Sequence, residues 1–249
     1  MAALFSPKTM QNPFQIKNEP TFCKVFTYLY LGVGVSLAIA YIVTGFFDSL
    51  HLATNILKFV LVVASFLYVF IYFWVRFLKD DGCRDRLFLW IALLFTLGAD
   101  VFLLLVNDFY EVGVSLFIVA QIVHFLRGAR HYYKKDRVYL AITIALRAVL
   151  CIVAPLLTIP LDMVSPTNIL TMIYFPNLIM NFVDGVYIAV KVNRRLGLFL
   201  SVGFLLFIGC DICVGLSNVG LPLWNLIWIF YGPSQIVLAL SLSRSEEKQ

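Results

Sequence analysis

The run VLVVASFLYVFIYFWVRF, Val60–Phe77, decides the fold class. Its single charge, Arg76, stands near one end, and polar and apolar residues do not alternate along it. A membrane helix needs about 20 mostly apolar residues, whereas a strand of a membrane barrel alternates over roughly ten. Leu196–Cys210 reads the same way. Of the 249 residues, 61% are hydrophobic and 13% charged, with a mean hydropathy of +0.92. A soluble domain is about half apolar and about a quarter charged. These values exclude a soluble globular enzyme and a disordered chain. They also exclude a nucleic-acid binder, despite the net charge of +5. The expected fold is all-α, a polytopic bundle of eight transmembrane helices at roughly 23–46, 54–78, 87–107, 109–130, 137–160, 167–190, 196–218 and 222–243. A polar N-terminal segment, 1–21, precedes the membrane domain, 22–243, and a short tail, 244–249, follows it.

The basic residues support the count of eight. Lys8, Lys17 and Lys24 precede or open the first span. Arg76, Lys79, Arg84 and Arg86 mark the second connection. Arg127, Arg130, Lys134, Lys135 and Arg137 mark the fourth, Lys191, Arg194 and Arg195 the sixth, and Arg244 and Lys248 the tail. The connections near 48–52, 107–110, 160–166 and 218–222 hold no Lys or Arg. This alternation is the positive-inside pattern, with both termini cytoplasmic. In a bacterium the protein would lie in the cell membrane. The first 20 residues are polar and contain Pro7, Pro13 and Pro20, and the first apolar run is too long for a signal h-region, so no cleavable signal is expected. Five scattered cysteines suggest no disulfide framework, and Cys210 and Cys213 read as packing residues of an apolar helix.

An internal repeat is visible. Leu97-Gly-Ala-Asp100-Val-Phe-Leu-Leu-Leu105 reads against Ile208-Gly-Cys-Asp211-Ile-Cys-Val-Gly-Leu216, and each Asp is followed seven residues later by Asn, Asn107 or Asn218. Seven residues make two α-helical turns, so each Asp and its Asn should share a face. The copies fall on spans three and seven, which suggests two four-helix halves in a parallel repeat. Such repeats place sites at their interface.

Lys58, Asp100, Arg147, Asp184 and Asp211 are charged yet fall within spans. A charge near the bilayer centre costs about 2.5–3.5 kcal/mol on insertion scales, so such residues face an interior or a wet cavity. Asp100 and Asp211 lie about seven residues, or about 10 Å, from the outer ends of their helices. Lys58 lies about four residues in from the same side, so the three can meet. Gln121 and His124 share a face of span four, Tyr231 and Gln235 a face of span eight, and Asn177, Asn181 and Asp184 a stripe of span six that Tyr174 continues. Each has a plainer reading. Asn and Gln stripes glue membrane helices together, and Arg147 with Asp184 reads as a structural pair.

Two carboxyls sharing a low-dielectric pocket cannot both ionise cheaply, so one keeps its proton and can act as a general acid. The other, beside Lys58, stays anionic. That suits acid-catalysed addition of water to an activated double bond or ether. It suits a proton-coupled transporter of a lipid or amphiphile equally well, and a non-catalytic membrane protein remains a third reading. No phosphate loop or GxSxG elbow is present. The spread of His51, His124 and His131 argues against a three-His zinc site, and no metal is expected.

At these motifs the chain resembles the YhhN family of eight-span membrane proteins, whose animal members are lysoplasmalogenases. The resemblance covers roughly 50–243. It rests on Gly98-Ala-Asp100 with Phe102-Leu-Leu and Gly113, on Cys210-Asp211 followed by Tyr231-x-x-x-Gln235 and Leu238-Ala-Leu-Ser241, and on Lys58. Phe59 stands where the family usually has Pro, and Gln121 where many members have His. The resemblance implies hydrolysis of the vinyl ether of a lysoplasmalogen to a fatty aldehyde and a glycerophospho-alcohol. No cofactor is required. Asp100 and Asp211 would be catalytic, with Lys58, Gln121, His124, Asn177, Asn181, Tyr231 and Gln235 binding substrate or supporting them. The partners implied are the bilayer and a lysophospholipid-type substrate.

Overall fold

The computed structural model describes residues 21–45, 51–77, 83–106, 108–159, 164–221 and 223–244. The N-terminal segment before Thr21, Asn107 and the last five residues lie outside the described residues. Eight α-helices account for nearly all the rest: α1 Thr21–Thr44, α2 His51–Phe77, α3 Cys83–Asp100, α4 Tyr110–Tyr132, α5 Arg137–Leu156, α6 Pro166–Lys191, α7 Arg194–Asn218 and α8 Trp224–Leu240. A six-residue π-helix, Val101–Val106, extends α3, and a 3-10 turn, Ser241–Arg244, extends α8. With α3 counted through its extension, seven helices are long and apolar enough to cross a membrane. The eighth has 17 residues and rises about 25 Å. The protein is thus a polytopic membrane bundle of helices.

Short side chains start several helices. Asp136 accepts the Tyr139 amide at 2.8 Å, Ser165 the Asn168 amide at 3.1 Å, and Asn193 the Leu196 amide at 3.1 Å. Each satisfies a donor that the first turn cannot bond internally. Pro166 follows Ser165 at the first helical position, where no amide hydrogen is needed.

Six helices close a ring in the order α2, α3, α4, α6, α7, α8 and back to α2. Outside it, α1 lies against α2 and α8, and α5 lies mainly against α6. Pairing α1 with α5, α2 with α6, α3 with α7 and α4 with α8 maps this arrangement onto itself by a half-turn. Two contacts repeat in the same way. A methyl placed on Gly98 of α3 would lie 3.4 Å from Leu116 of α4, and one on Gly209 of α7 would lie 3.2 Å from Phe230 of α8. The parallel repeat read from the two Asp motifs therefore extends to packing.

The tightest approach is between α6 and α7. A Cβ on Gly197 would run into the Ala189 backbone, and one on Gly185 would lie 2.8 Å from the Ser201 amide nitrogen. Small residues at such crossings let membrane helices pack by van der Waals contact.

Two expectations change. Helix α2 starts at His51, so Lys58 is seven residues in rather than four, about 10 Å deep. The π-helix after Asp100 bonds i to i+5 and widens the turn, so the seven-residue spacing no longer marks one face of α3. On α7, which stays α-helical, Asn218 ends the helix exposed.

Candidate functional site

Asp100 is the last α-helical residue before the π-helix, the kind of bulge that recurs at functional sites. It is 5% exposed, and its Oδ2 accepts the Tyr231 hydroxyl of α8 at 2.6 Å. Asp211 on α7 is partly buried, and its Oδ2 accepts the Tyr174 hydroxyl of α6 at 2.7 Å. In the ring, α3 and α7 stand opposite each other, so the two acids approach from opposite walls. Tyr174 and Cys210 each lie within electrostatic range of both carboxyls. The acids therefore belong to one interior region, and each is held by a neutral hydroxyl rather than a basic side chain.

Aromatic rings connect the two tyrosines. Tyr174 packs on Phe117 with ring centroids 5.7 Å apart, Phe117 on Phe207 at 5.7 Å, Phe207 on Tyr231 at 5.3 Å, and Tyr231 on Trp228 at 5.2 Å. The Lys58 ammonium closes the series 4.8 Å from the centre of the Trp228 ring. Among the described residues Lys58 forms no ion pair with either Asp, contrary to the expected trio. Trp228 touches both Lys58 and Tyr231, the partner of Asp100. A ring face attracts a cation without fixing it as tightly as a carboxylate does, so the ammonium stays available to a ligand.

The sequence profile of the YhhN family matches residues 54–242, α2 through α8. The chain belongs to the YhhN family. No curated protein and no solved structure matches it.

In this YhhN protein the remaining candidate residues divide into two groups. Asn177 and Asn181 join a buried network around Arg147 and Asp184. The Arg147 guanidinium donates to Asp184 at 2.6 Å, to the Asn181 side chain at 3.0 Å and to the Asn177 carbonyl at 3.1 Å. Tyr139 donates to the other Asp184 oxygen at 2.9 Å. The Asn181 amide also donates to the Gln121 side-chain oxygen at 2.8 Å, which ties Gln121 to this network. The cluster fastens peripheral α5 to α6 and α4, as the structural reading of Arg147 and Asp184 anticipates. Burying such an ion pair is costly unless its remaining bonds are filled, and here most are.

The second group is polar, buried and underbonded. The His124 ring packs edge-on to Phe204 with centroids 5.2 Å apart, and among the described residues its Nδ1 has no partner. Among the same residues Gln121 Nε2 has none, and Gln235, 1% exposed, has none at either end of its amide.

At the basic end, Arg127 of α4 donates to both oxygens of Asp85 on α3, at 3.1 and 3.0 Å, and to the Ser241 hydroxyl after α8 at 2.7 Å. His131 reaches the same Asp85 at 2.9 Å. This clamp closes one end of the ring. The residues that sequence reasoning left out of the site are Tyr174, Cys210, Phe117 and Phe207. Tyr174 continues the polar stripe of α6, so its signal was present. Phe117 and Phe207 differ in no local way from other core aromatics.

Proposed function

We propose that this protein is an intramembrane hydrolase of enol-ether lipids, taking a lysoplasmalogen and releasing a fatty aldehyde and a glycerophospho-alcohol. One observation carries the reading: two carboxyls on opposite walls of a helix ring, each holding a tyrosine hydroxyl, with edge-packed aromatic rings running between the two tyrosines. Membership of the YhhN family supports it.

The chemistry needs one protonated carboxyl and one carboxylate. The acid delivers its proton to the β-carbon of the vinyl ether, which leaves an oxocarbenium ion. Water adds to the cationic carbon, and its proton passes to a carboxylate. The hemiacetal then collapses: its hydroxyl proton is removed, the C–O bond to glycerol breaks, and the alcohol leaves protonated. Asp100 and Asp211 divide the acid and base roles. Because the Tyr231 and Tyr174 hydroxyls occupy Oδ2, a transferable proton sits on Oδ1. The faces of Phe117, Phe207 and the two tyrosines stabilise the oxocarbenium by cation–π attraction, which is stronger where water is excluded. Lys58, about 10 Å below the non-basic end, meets the phosphate of the head group. With both termini cytoplasmic, that end faces away from the cytoplasm.

The test is product formation. Purified protein in detergent releases aldehyde from a lysoplasmenyl lipid, and Asp100→Asn abolishes release while keeping the thermal transition of the parent. Proton-linked uptake into liposomes without aldehyde would replace this reading with a carrier.

A further inference from the structure

Two stripes of side chains face each other inside the ring, and the internal repeat relates them. On α4 the stripe is Phe117, Gln121 and His124. On α8 it is Tyr231, Gln235 and Leu238. Gln121 and Gln235 are equivalent under the helix pairing, each eleven residues in from its helix start, Tyr110 or Trp224. That is a depth of about 16 Å, the middle of a bilayer.

Both stripes rest on the same face of α7. Phe117 and Tyr231 both touch Phe207, His124 touches Phe204, and a methyl on Gly203 would lie 2.7 Å from Leu238. Towards the basic end, α4 and α8 meet directly through the Arg127–Ser241 bond. The glutamines therefore lie between a level bridged by one ring, Phe207, and a level with direct contact. Gln121 and Gln235 thus stand on the two stripes that flank the Phe204 and Phe207 face of α7.

Four polar atoms at this level and the turn beyond it are buried and, among the described residues, unbonded: Gln121 Nε2, both amide atoms of Gln235, and His124 Nδ1. A buried polar atom without a partner costs about 1–3 kcal/mol. Four within two successive turns of one ring make a dry interior the expensive arrangement. An amide offers donors and an acceptor and a neutral imidazole offers one of each, which matches water rather than an ion.

We infer that Gln121, His124 and Gln235 hold an internal water site at mid-membrane. It lies one helical turn, about 6 Å, below the Tyr231–Asp100 bond. On the hydrolase reading above, it supplies the attacking water, and the three side chains position it rather than carry the chemistry.

X-ray hydroxyl-radical footprinting of the intact protein in detergent tests the site, because radicals generated from a bound water label the side chains beside it. Phe204, Phe207 and His124 should be labelled several-fold faster than Tyr68 and Tyr72, which are equally buried in the α1–α2 core. The Gln121→Leu/Gln235→Leu double variant should lose that excess, and its Tm should fall. Labelling no faster than at Tyr72, or a higher Tm in Gln235→Leu, overturns the site. The wild-type labelling alone decides the matter should the double variant not fold. Fast labelling without aldehyde release would leave the water site standing and remove the hydrolase reading.

Discussion

Tyr231 on α8 donates its hydroxyl to Asp100 on α3 at 2.6 Å, joining two side chains 131 positions apart in sequence. Tyr231→Phe deletes this one donor and keeps the ring contacts with Phe207 and Trp228. A hydrogen bond to an ionised group contributes about 1.5–3 kcal/mol, so aldehyde release should fall about 10- to 100-fold. Steady-state rates measured beside Asp100→Asn check this, and an unchanged rate would remove the tyrosine from the mechanism.

On the proposed reading, Lys58 meets the head group rather than the reacting atoms. Lys58→Met should raise KM for a lysophospholipid-type substrate and leave kcat close to that of the parent. A fall in kcat with KM unchanged would place the ammonium at the reacting bond instead.

The Arg147–Asp184 pair predicts a stability effect separate from activity. Removing one partner of a buried pair typically costs about 3–5 kcal/mol, because the other charge is left uncompensated. Arg147→Ala should therefore lower Tm strongly. Arg147→Met combined with Asp184→Leu should recover much of the loss, since neither charge then remains. Thermal unfolding in detergent reads both.

Glycine substitutions should sort by their surroundings. Gly197→Ala would drive a methyl into the backbone of Ala189 and separate α6 from α7, whereas Gly32 on α1 has nothing within 4 Å of its added Cβ. Overpacking costs about 1–3 kcal/mol. Gly197→Ala should destabilise the protein by that order, and Gly32→Ala should leave Tm unchanged or raise it slightly.

Asp136 predicts an acid dependence. It lies in the α4–α5 connection, and bonds from the Tyr139 amide and the Tyr187 hydroxyl hold its carboxyl below the usual range. A carboxyl lowered in the folded state stabilises it fully above the unfolded value, about 4, and that stabilisation is lost as pH falls below it. The slope of Tm against pH below about 4 should be shallower in Asp136→Asn, which keeps the cap but cannot titrate. Equal slopes would show that other carboxyls dominate.

Asp100 and Asp211 were legible as candidates because a charge inside an apolar span is conspicuous by cost alone. Their hydroxyl partners were not, since helical spacing relates residues on one helix and is silent about which helix lies opposite. For the same reason the spacing of Asn177 and Asn181 did not show that both bond to Arg147 of α5. Lys58 read as the partner of the acids, and the contact the structure gives its ammonium is the Trp228 ring. The π-helix after Asp100 was invisible, because Val101–Val106 is as apolar as any α-helical run here.

Apolar runs of bilayer length and the placement of lysines and arginines were enough to establish a membrane bundle of eight helices, because lipid forces every backbone polar group to bond within its own segment. Which helices close the ring, which hydroxyl holds each acid, and where buried amides are left without partners were decided by packing alone. Lipid is as apolar as leucine, so the hydrophobic pattern of a span does not say which face turns inward. Close approach at Gly197 and bonds such as Tyr231 to Asp100 do.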